Sequence, residues 1–167
     1  MGGKMKKFLK LIVAFNVFIY MISVSSCSGN TVKGTDGMLA YMCAKHGDGL
    51  KFSGSVSDAG ETLAWFSFDE TNPTCTYMVF KNKGNDEYEP LYDPNTTLDA
   101  GACQCIWHNG IVVHIEDRDI FSVQIVSGNV QTYSVTEYPF NLCSELSTGE
   151  AFVFCMDKDG NVIESIH

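Results

Sequence analysis

The stretch "IFSVQIVSGNVQTYSVTEY", residues 120–138, decides the fold class of this chain. Phe121, Val123 and Ile125 alternate with polar residues, which is the period of a strand that buries one face. The tripeptide "SGN" then separates this run from a second run rich in Val, Thr and Tyr, as in an antiparallel hairpin. The stretch therefore predicts two paired strands, 120–126 and 130–138.

The rest of the chain repeats this pattern of aromatic and β-branched runs separated by turn residues. The short connections "EDRD" and "DKDG" suit tight hairpins, with Gly160 at a positive φ in the second. We therefore expect a mainly β fold, a small antiparallel meander that forms a barrel or a sandwich. The further predicted strands are 50–56, 61–68, 75–81, 110–116, 150–156 and 161–166.

Two segments depart from the strand pattern. "MLAYMCAKH", residues 38–46, predicts a short helix with Asp36 near its N-terminus, and a first strand is the alternative. Residues 82–102 are polar and contain two prolines, which predicts a long loop that crosses the fold. Small polar residues precede the helix and predict a flexible tether. The expected organisation is a leader at 1–26, a tether at 27–37 and a single β-rich domain at 38–167.

The first 27 residues predict an export signal, because lysines precede a long apolar run that ends in small residues and a cysteine. Val24-Ser25-Ser26-Cys27 resembles the lipobox of bacterial lipoproteins, in which the cysteine receives a diacylglycerol and becomes the N-terminus after cleavage. The resemblance implies a lipid-anchored protein of the bacterial cell envelope and leaves the membrane face open. The alternative is a retained transmembrane anchor, because residues 8–26 approach the ~20 apolar residues that span a bilayer.

Acidic side chains dominate the chain that follows residue 26. It holds 7 basic and 20 acidic side chains, a net charge of −13, against −9 for the full sequence. This charge would repel phosphate backbones, which argues against nucleic acid as a partner. It favours a basic protein, a cationic peptide or a divalent metal ion. No sequence motif indicates a cofactor.

Six cysteines remain if Cys27 carries lipid, and an even number in an exported chain indicates up to three disulfides. A bridge between Cys103 and Cys105 would be strained, and the sequence leaves the other pairings open. The candidates are Cys43, Cys75, Cys103, Cys105, Cys143 and Cys155.

"CQCIWH", residues 103–108, is the strongest indication of other chemistry. Cys103, Cys105 and His108 would suit a soft metal ion, although the spacing is not that of a standard zinc site. With His114, they form the centre of an alternative metal-handling or redox function. A hydrolase is disfavoured because the sequence contains no G-x-S-x-G motif. "DKDGN" lacks the Glu that completes a calcium loop, so we expect a hairpin turn there.

"DEYEPLYDP", residues 86–94, combines acids, prolines and two tyrosines that would serve as interface anchors. We therefore expect a non-enzymatic binding module for a basic protein partner, analogous in function to lysozyme inhibitors or immunity proteins. A ligand-holding β-barrel is a further alternative. The predicted partner-binding residues are Asp86, Glu87, Tyr88, Glu89, Tyr92 and Asp93.

Overall fold

The computed structural model describes residues 31–68, 74–99 and 101–166, and over these residues the chain forms one helix and thirteen strands. The helix, α1, spans Gly34–His46 and follows the short strand β1, Val32–Lys33. The other strands are β2 (Leu50–Asp58), β3 (Glu61–Phe68), β4 (Thr74–Gly84), β5 (Glu87–Tyr92), β6 (Leu98–Asp99), β7 (Ala102–Trp107), β8 (Gly110–Ile115), β9 (Ser122–Ser127), β10 (Asn129–Ser134), β11 (Phe140–Glu145), β12 (Phe152–Met156) and β13 (Val162–Ile166). Among the described residues, no helix is long and apolar enough to cross a membrane.

The strands form three curled antiparallel sheets that together make a half-barrel. The six-stranded sheet has the order β1-β5-β4-β3-β2, and β6 also pairs with β4. The three-stranded sheet has the order β11-β8-β7, and the four-stranded sheet has the order β10-β9-β12-β13. Strands β2 and β11 are therefore each at the edge of a sheet.

Strand β3 is buried on both faces, which places the six-stranded sheet between α1 and the three-stranded sheet. Ala64 and Phe66 pack in a cluster with Met38 and Met42 of α1. Trp65, on the opposite face, packs in a second cluster that contains residues of β7 and β8. The run of apolar residues in β3 thus supplies two cores at once.

Strand β8 is also buried on both faces. Val112 belongs to the cluster shared with β3, whereas Val113 and Ile115 belong to a third cluster. This third cluster includes Val123 and Ile125 of β9, so it joins the three-stranded sheet to the four-stranded sheet. The molecule is consequently layered as helix, six-stranded sheet, three-stranded sheet and four-stranded sheet.

The predicted antiparallel β class and the short helix are confirmed. The hairpin at "SGN" joins β9 to β10, with Gly128 at φ 72°, and the one at "DKDG" joins β12 to β13, with Gly160 at φ 82°.

Helix α1 begins four residues earlier than predicted, at Gly34, whose N–H donates to Asp86 O at 2.8 Å. Residues 32–37, part of the predicted tether, therefore lie in β1 and in the first turn of α1. Residues 1–26 and Cys27 lie outside the described residues.

The prediction of a long loop at 82–102 is wrong. Strand β4 continues to Gly84, Asn85 and Asp86 turn the chain at positive φ, and β5 pairs back along β4. The predicted hairpin at "EDRD" is also wrong, which interrupts the expected meander. Strand β8 pairs with β7 and β11, and β9 belongs to another sheet. Phe121 precedes β9 and is 46% exposed, not buried.

Candidate binding site at the seam between two sheets

The edge strands β2 and β11 lie side by side without forming a backbone ladder, and this contact line is here called the seam. Asn141 of β11 crosses it, because its Nδ2 donates to Ser53 O of β2 at 3.2 Å. Gly54 makes this approach feasible: a Cβ at Gly54 would lie 2.3 Å from Asn141 Nδ2. Gly54 has φ 124° and follows the register shift in the pairing of β2 with β3. The seam is therefore closed by a side chain that fits only against glycine.

A buried polar network stands behind the seam. His114 Nδ1 lies 2.9 Å from Asn141 Oδ1, and His114 Nε2 lies 3.2 Å from Glu116 Oε1. Ser53 and Ser67 hydroxyls are 2.7 Å apart and both hydrogen-bond to the Glu116 carboxylate. Both ring nitrogens of His114 are therefore in contact with side-chain oxygens of the network. His114 is also 0% exposed, so its ring is closed off from any substrate.

The network keeps Glu116 ionised. Burial raises the pKa of Glu116, but hydrogen bonds from His114, Ser53 and Ser67 outweigh burial and leave the pKa below its usual value. The carboxylate also lines a cleft of about 290 Å³ at one end of the seam, together with Lys51 and Arg118. This end of the seam therefore carries charges of both signs.

An acidic cleft of about 700 Å³ opens at the other end of the seam. Its carboxylates come from Asp58 at the end of β2 and Glu145 at the end of β11, both exposed. No lysine or arginine is among the described residues that line it. Trp107 forms part of the lining, and its buried Nε1 has no hydrogen-bond partner in the described part of the chain. The cleft is thus negatively charged and has an indole in its wall.

The turn between β7 and β8 forms one side of the acidic cleft. His108 has a positive φ of 53°, and its ring packs against Trp107 with centroids 4.5 Å apart. His108 Nε2 lies 3.2 Å from Glu61 Oε2, which ties this turn to the start of β3. Glu61 is the cross-strand partner of Asp58, so a further carboxylate lies close to the cleft.

The predicted partner-binding residues lie on the β4–β5 hairpin, and several of them already contact other residues of the protein. Asp93 is nearly buried, 2.7 Å from Lys45 Nζ and 2.8 Å from His46 Nε2. Glu89 pairs with Lys83 at 3.0 Å, and Tyr88 packs against the cluster beneath α1. The others are more accessible: Asp86, Glu87 and Tyr92, the last 57% exposed.

The residues of the predicted metal or redox centre each contact a different partner and do not converge on one site. Cys103 contacts Cys75, Cys105 hydrogen-bonds to Tyr77, and His108 pairs with Glu61. Burial raises the pKa of Cys105 to about 12, so its thiol stays protonated at neutral pH. In the part of the chain that the structure describes, no three His, Cys, Asp or Glu side chains are placed to hold a metal ion.

The structure does not support the predicted disulfides. All six cysteines of the described region are free thiols, and the Cys75 and Cys103 Sγ atoms, 3.0 Å apart, are beyond the ~2.05 Å of a disulfide. Cys43 packs near α1, and Cys155 lies in the cluster between the three- and four-stranded sheets. Cys43 and Cys155 are thus separated from each other and from the Cys75 and Cys103 pair.

Sequence reasoning missed most of the seam. Ser53, Glu116 and Asn141 are far apart in the chain, and none belongs to a recognisable motif. The available signal was Gly54, since a glycine inside a predicted strand indicates a bulge or a close backbone approach. The sequence places His114 in a predicted metal or redox centre. In the structure His114 instead connects Asn141 to Glu116 within the polar network.

No protein-family model, no curated protein and no solved structure matches this chain.

Proposed function

We propose that this chain is a non-enzymatic binding protein of the bacterial cell envelope, anchored by lipid on Cys27, and that its acidic cleft holds a basic group of a protein partner. The resemblance of Val24-Ser25-Ser26-Cys27 to a lipobox supports the location. The seam supports the binding role, because a hydrogen bond links the two sheets there and a cleft of about 700 Å³ opens at its end.

The observation that carries the proposal is the charge of the acidic cleft. An ammonium or guanidinium group would meet the carboxylates of Asp58 and Glu145 beside the indole of Trp107. Carboxylates satisfy such donors, and an indole face attracts cations. The net charge of −13 after residue 26 would also steer a basic partner toward this protein.

The buried histidine of the seam is not placed to act as a catalytic base. His114, the buried histidine of the seam, uses both ring nitrogens inside the polar network. A general base needs a nitrogen within reach of the substrate proton, and these contacts occupy the ring of His114 fully.

Capture of the partner tests the binding role. The full-length chain, purified from membranes in detergent, would be used to capture proteins from an envelope extract, and binding of the captured protein would then be measured. The double variant Asp58→Asn, Glu145→Gln should weaken binding by about tenfold or more, since both charges meet the partner. The matched control is Glu150→Gln, Asp159→Asn, which removes the same charge from exposed positions outside the cleft. An acidic partner, or equal effects of the two double variants, would refute the proposal.

Metabolic labelling with a fatty acid tests the anchor separately. The wild-type chain should take up label and Cys27→Ser should not, whereas Cys43→Ser should keep it because Cys43 lies in the folded domain. Label retained by Cys27→Ser would contradict lipid attachment at that residue without bearing on the cleft.

A further inference from the structure

Cys75 and Cys103 are placed as a pair. Cys75 lies on β4 of the six-stranded sheet and Cys103 on β7 of the three-stranded sheet, with their Sγ atoms 3.0 Å apart. Both are buried, with exposures of 0% and 3%, in the cluster that fills the space between these sheets. A movement of about 1 Å would bring the sulfurs to bonding distance.

The other described cysteines lack such a neighbour. Cys105 and Cys143 both pair with Val112, one from each side of β8. Their Cα atoms are thus two strand spacings apart, about 9.6 Å, which exceeds the ~6.8 Å limit for a disulfide. Cys43 and Cys155 belong to two different clusters, neither of which contains the Cys75 and Cys103 pair.

We propose that Cys75 and Cys103 form the oxidation site of this protein and become a disulfide during folding, before the two sheets bury them, when a disulfide oxidant such as oxidised glutathione is present. One thiolate attacks the oxidant, which gives a mixed disulfide and releases one glutathione thiolate. The second cysteine then attacks the protein sulfur of the mixed disulfide and releases the second glutathione. Two protein thiols are oxidised, one glutathione disulfide is reduced to two thiols, and the two protons leave with them.

The bond would join two sheets at a point away from the seam. Strand β4 is two strands from the edge strand β2, and β7 is two strands from the edge strand β11. The polar network already links the sheets near β2 and β11. Oxidation would add a covalent link between residues 28 positions apart in the chain. The spacing of the two sheets, and with it the seam, would then be fixed from two sides.

Thiol counting on the full-length chain tests this assignment. The reduced, unfolded protein would be refolded with a mixture of oxidised and reduced glutathione, unfolded again, and alkylated either directly or after reduction. We expect reduction to expose two additional thiols per chain, and a peptide linking Cys75 to Cys103 in the unreduced digest. Lipid on Cys27 does not affect this difference, because a thioether is not reduced.

Single substitutions provide the controls. Cys75→Ser or Cys103→Ser should bring the difference to zero, whereas Cys105→Ser or Cys143→Ser should leave it at two. The measurement on the wild-type chain needs no variant to fold. A difference of zero in the wild-type chain, or oxidised protein without the Cys75–Cys103 peptide, would overturn the proposal.

Discussion

The imidazole of His114 lies parallel to the indole of Trp65, with ring centroids 5.1 Å apart and 11° between the ring planes. Trp65 belongs to β3 and His114 to β8, so the stack joins the six-stranded sheet to the three-stranded sheet. It also fixes the rotation of the imidazole, and hence the positions at which its nitrogens meet Asn141 and Glu116. The seam is therefore held by an aromatic contact and by hydrogen bonds from one side chain.

Removal of this ring should destabilise the protein. His114→Ala should lower the free energy of unfolding by about 2–4 kcal/mol, because it leaves a cavity and removes a partner from two polar groups. Urea denaturation would measure the loss. His108→Ala is the matched control, and a change below about 1 kcal/mol is expected there, because that side chain is 35% exposed. Equal losses in the two variants would show that the network contributes nothing specific.

Gly54 should tolerate no side chain while Asn141 is present. Gly54→Ala would place a Cβ 2.3 Å from Asn141 Nδ2, so we expect a loss of about 2–3 kcal/mol in unfolding free energy. Gly60→Ala, also at positive φ but with nothing within 4 Å, should cost only about 1 kcal/mol. Adding Asn141→Ala to Gly54→Ala should recover part of the loss; if the two losses simply add, the clash is not the cause.

Asp93 should make stability depend on pH. Burial raises its pKa, but hydrogen bonds from Lys45, the Asn95 N–H and His46 outweigh burial and hold the pKa below its usual 3.8. The stabilisation is therefore complete above that usual value and is lost as the pH falls through the lowered one. Asp93→Asn should cost about 2 kcal/mol at neutral pH. The difference from wild type in unfolding free energy should shrink below about pH 4; a constant difference would contradict the ion pairs.

The two tyrosines of the β4–β5 hairpin should behave differently. Tyr88→Ala should reduce the free energy of unfolding by about 2 kcal/mol, because Tyr88 packs against the cluster beneath α1. Tyr92→Ala should change it by less than about 0.5 kcal/mol, because Tyr92 is 57% exposed. If the hairpin also contacts the partner, Tyr92→Ala should raise the dissociation rate. Equal stability losses would mean that Tyr92 also has a structural role.

The sequence predicts the strands that carry several apolar residues and misses β11, where apolar residues are mixed with buried polar ones. Strand β9 has apolar Val123 and Ile125 on one face, so its period is visible. Strand β11, "FNLCSE", instead places Asn141 in the polar network and buries Ser144, which hydrogen-bonds to Tyr133 and Gln131. Phe140 and Leu142 of β11 do pack against the core, but two apolar residues are too short a pattern to mark the segment as a strand.

The acidic hairpin shows the limit for site prediction. The local sequence groups four carboxylates into one charged patch, namely Asp86, Glu87, Glu89 and Asp93. It cannot show which of these carboxylates pair with residues from distant parts of the chain. The fold brings Lys45 and His46 of α1 to Asp93, 47 or more positions away in sequence, and thereby uses that carboxylate for stability. Asp58 and Glu145 form one cleft for the same reason, since only the seam brings them together.

The two-sided burial of β3 and β8 also has a consequence for the order in which the molecule opens. Each strand gives alternate side chains to two different clusters, so releasing either one exposes apolar surface from both. Local fluctuations that free a single strand are therefore costly here, and the backbone amides of these strands should exchange with deuterium only through global unfolding. Protection should be greatest for residues 62–67 and 111–115, and should fall toward the hairpin tips at Asn85 and Lys158, which are exposed.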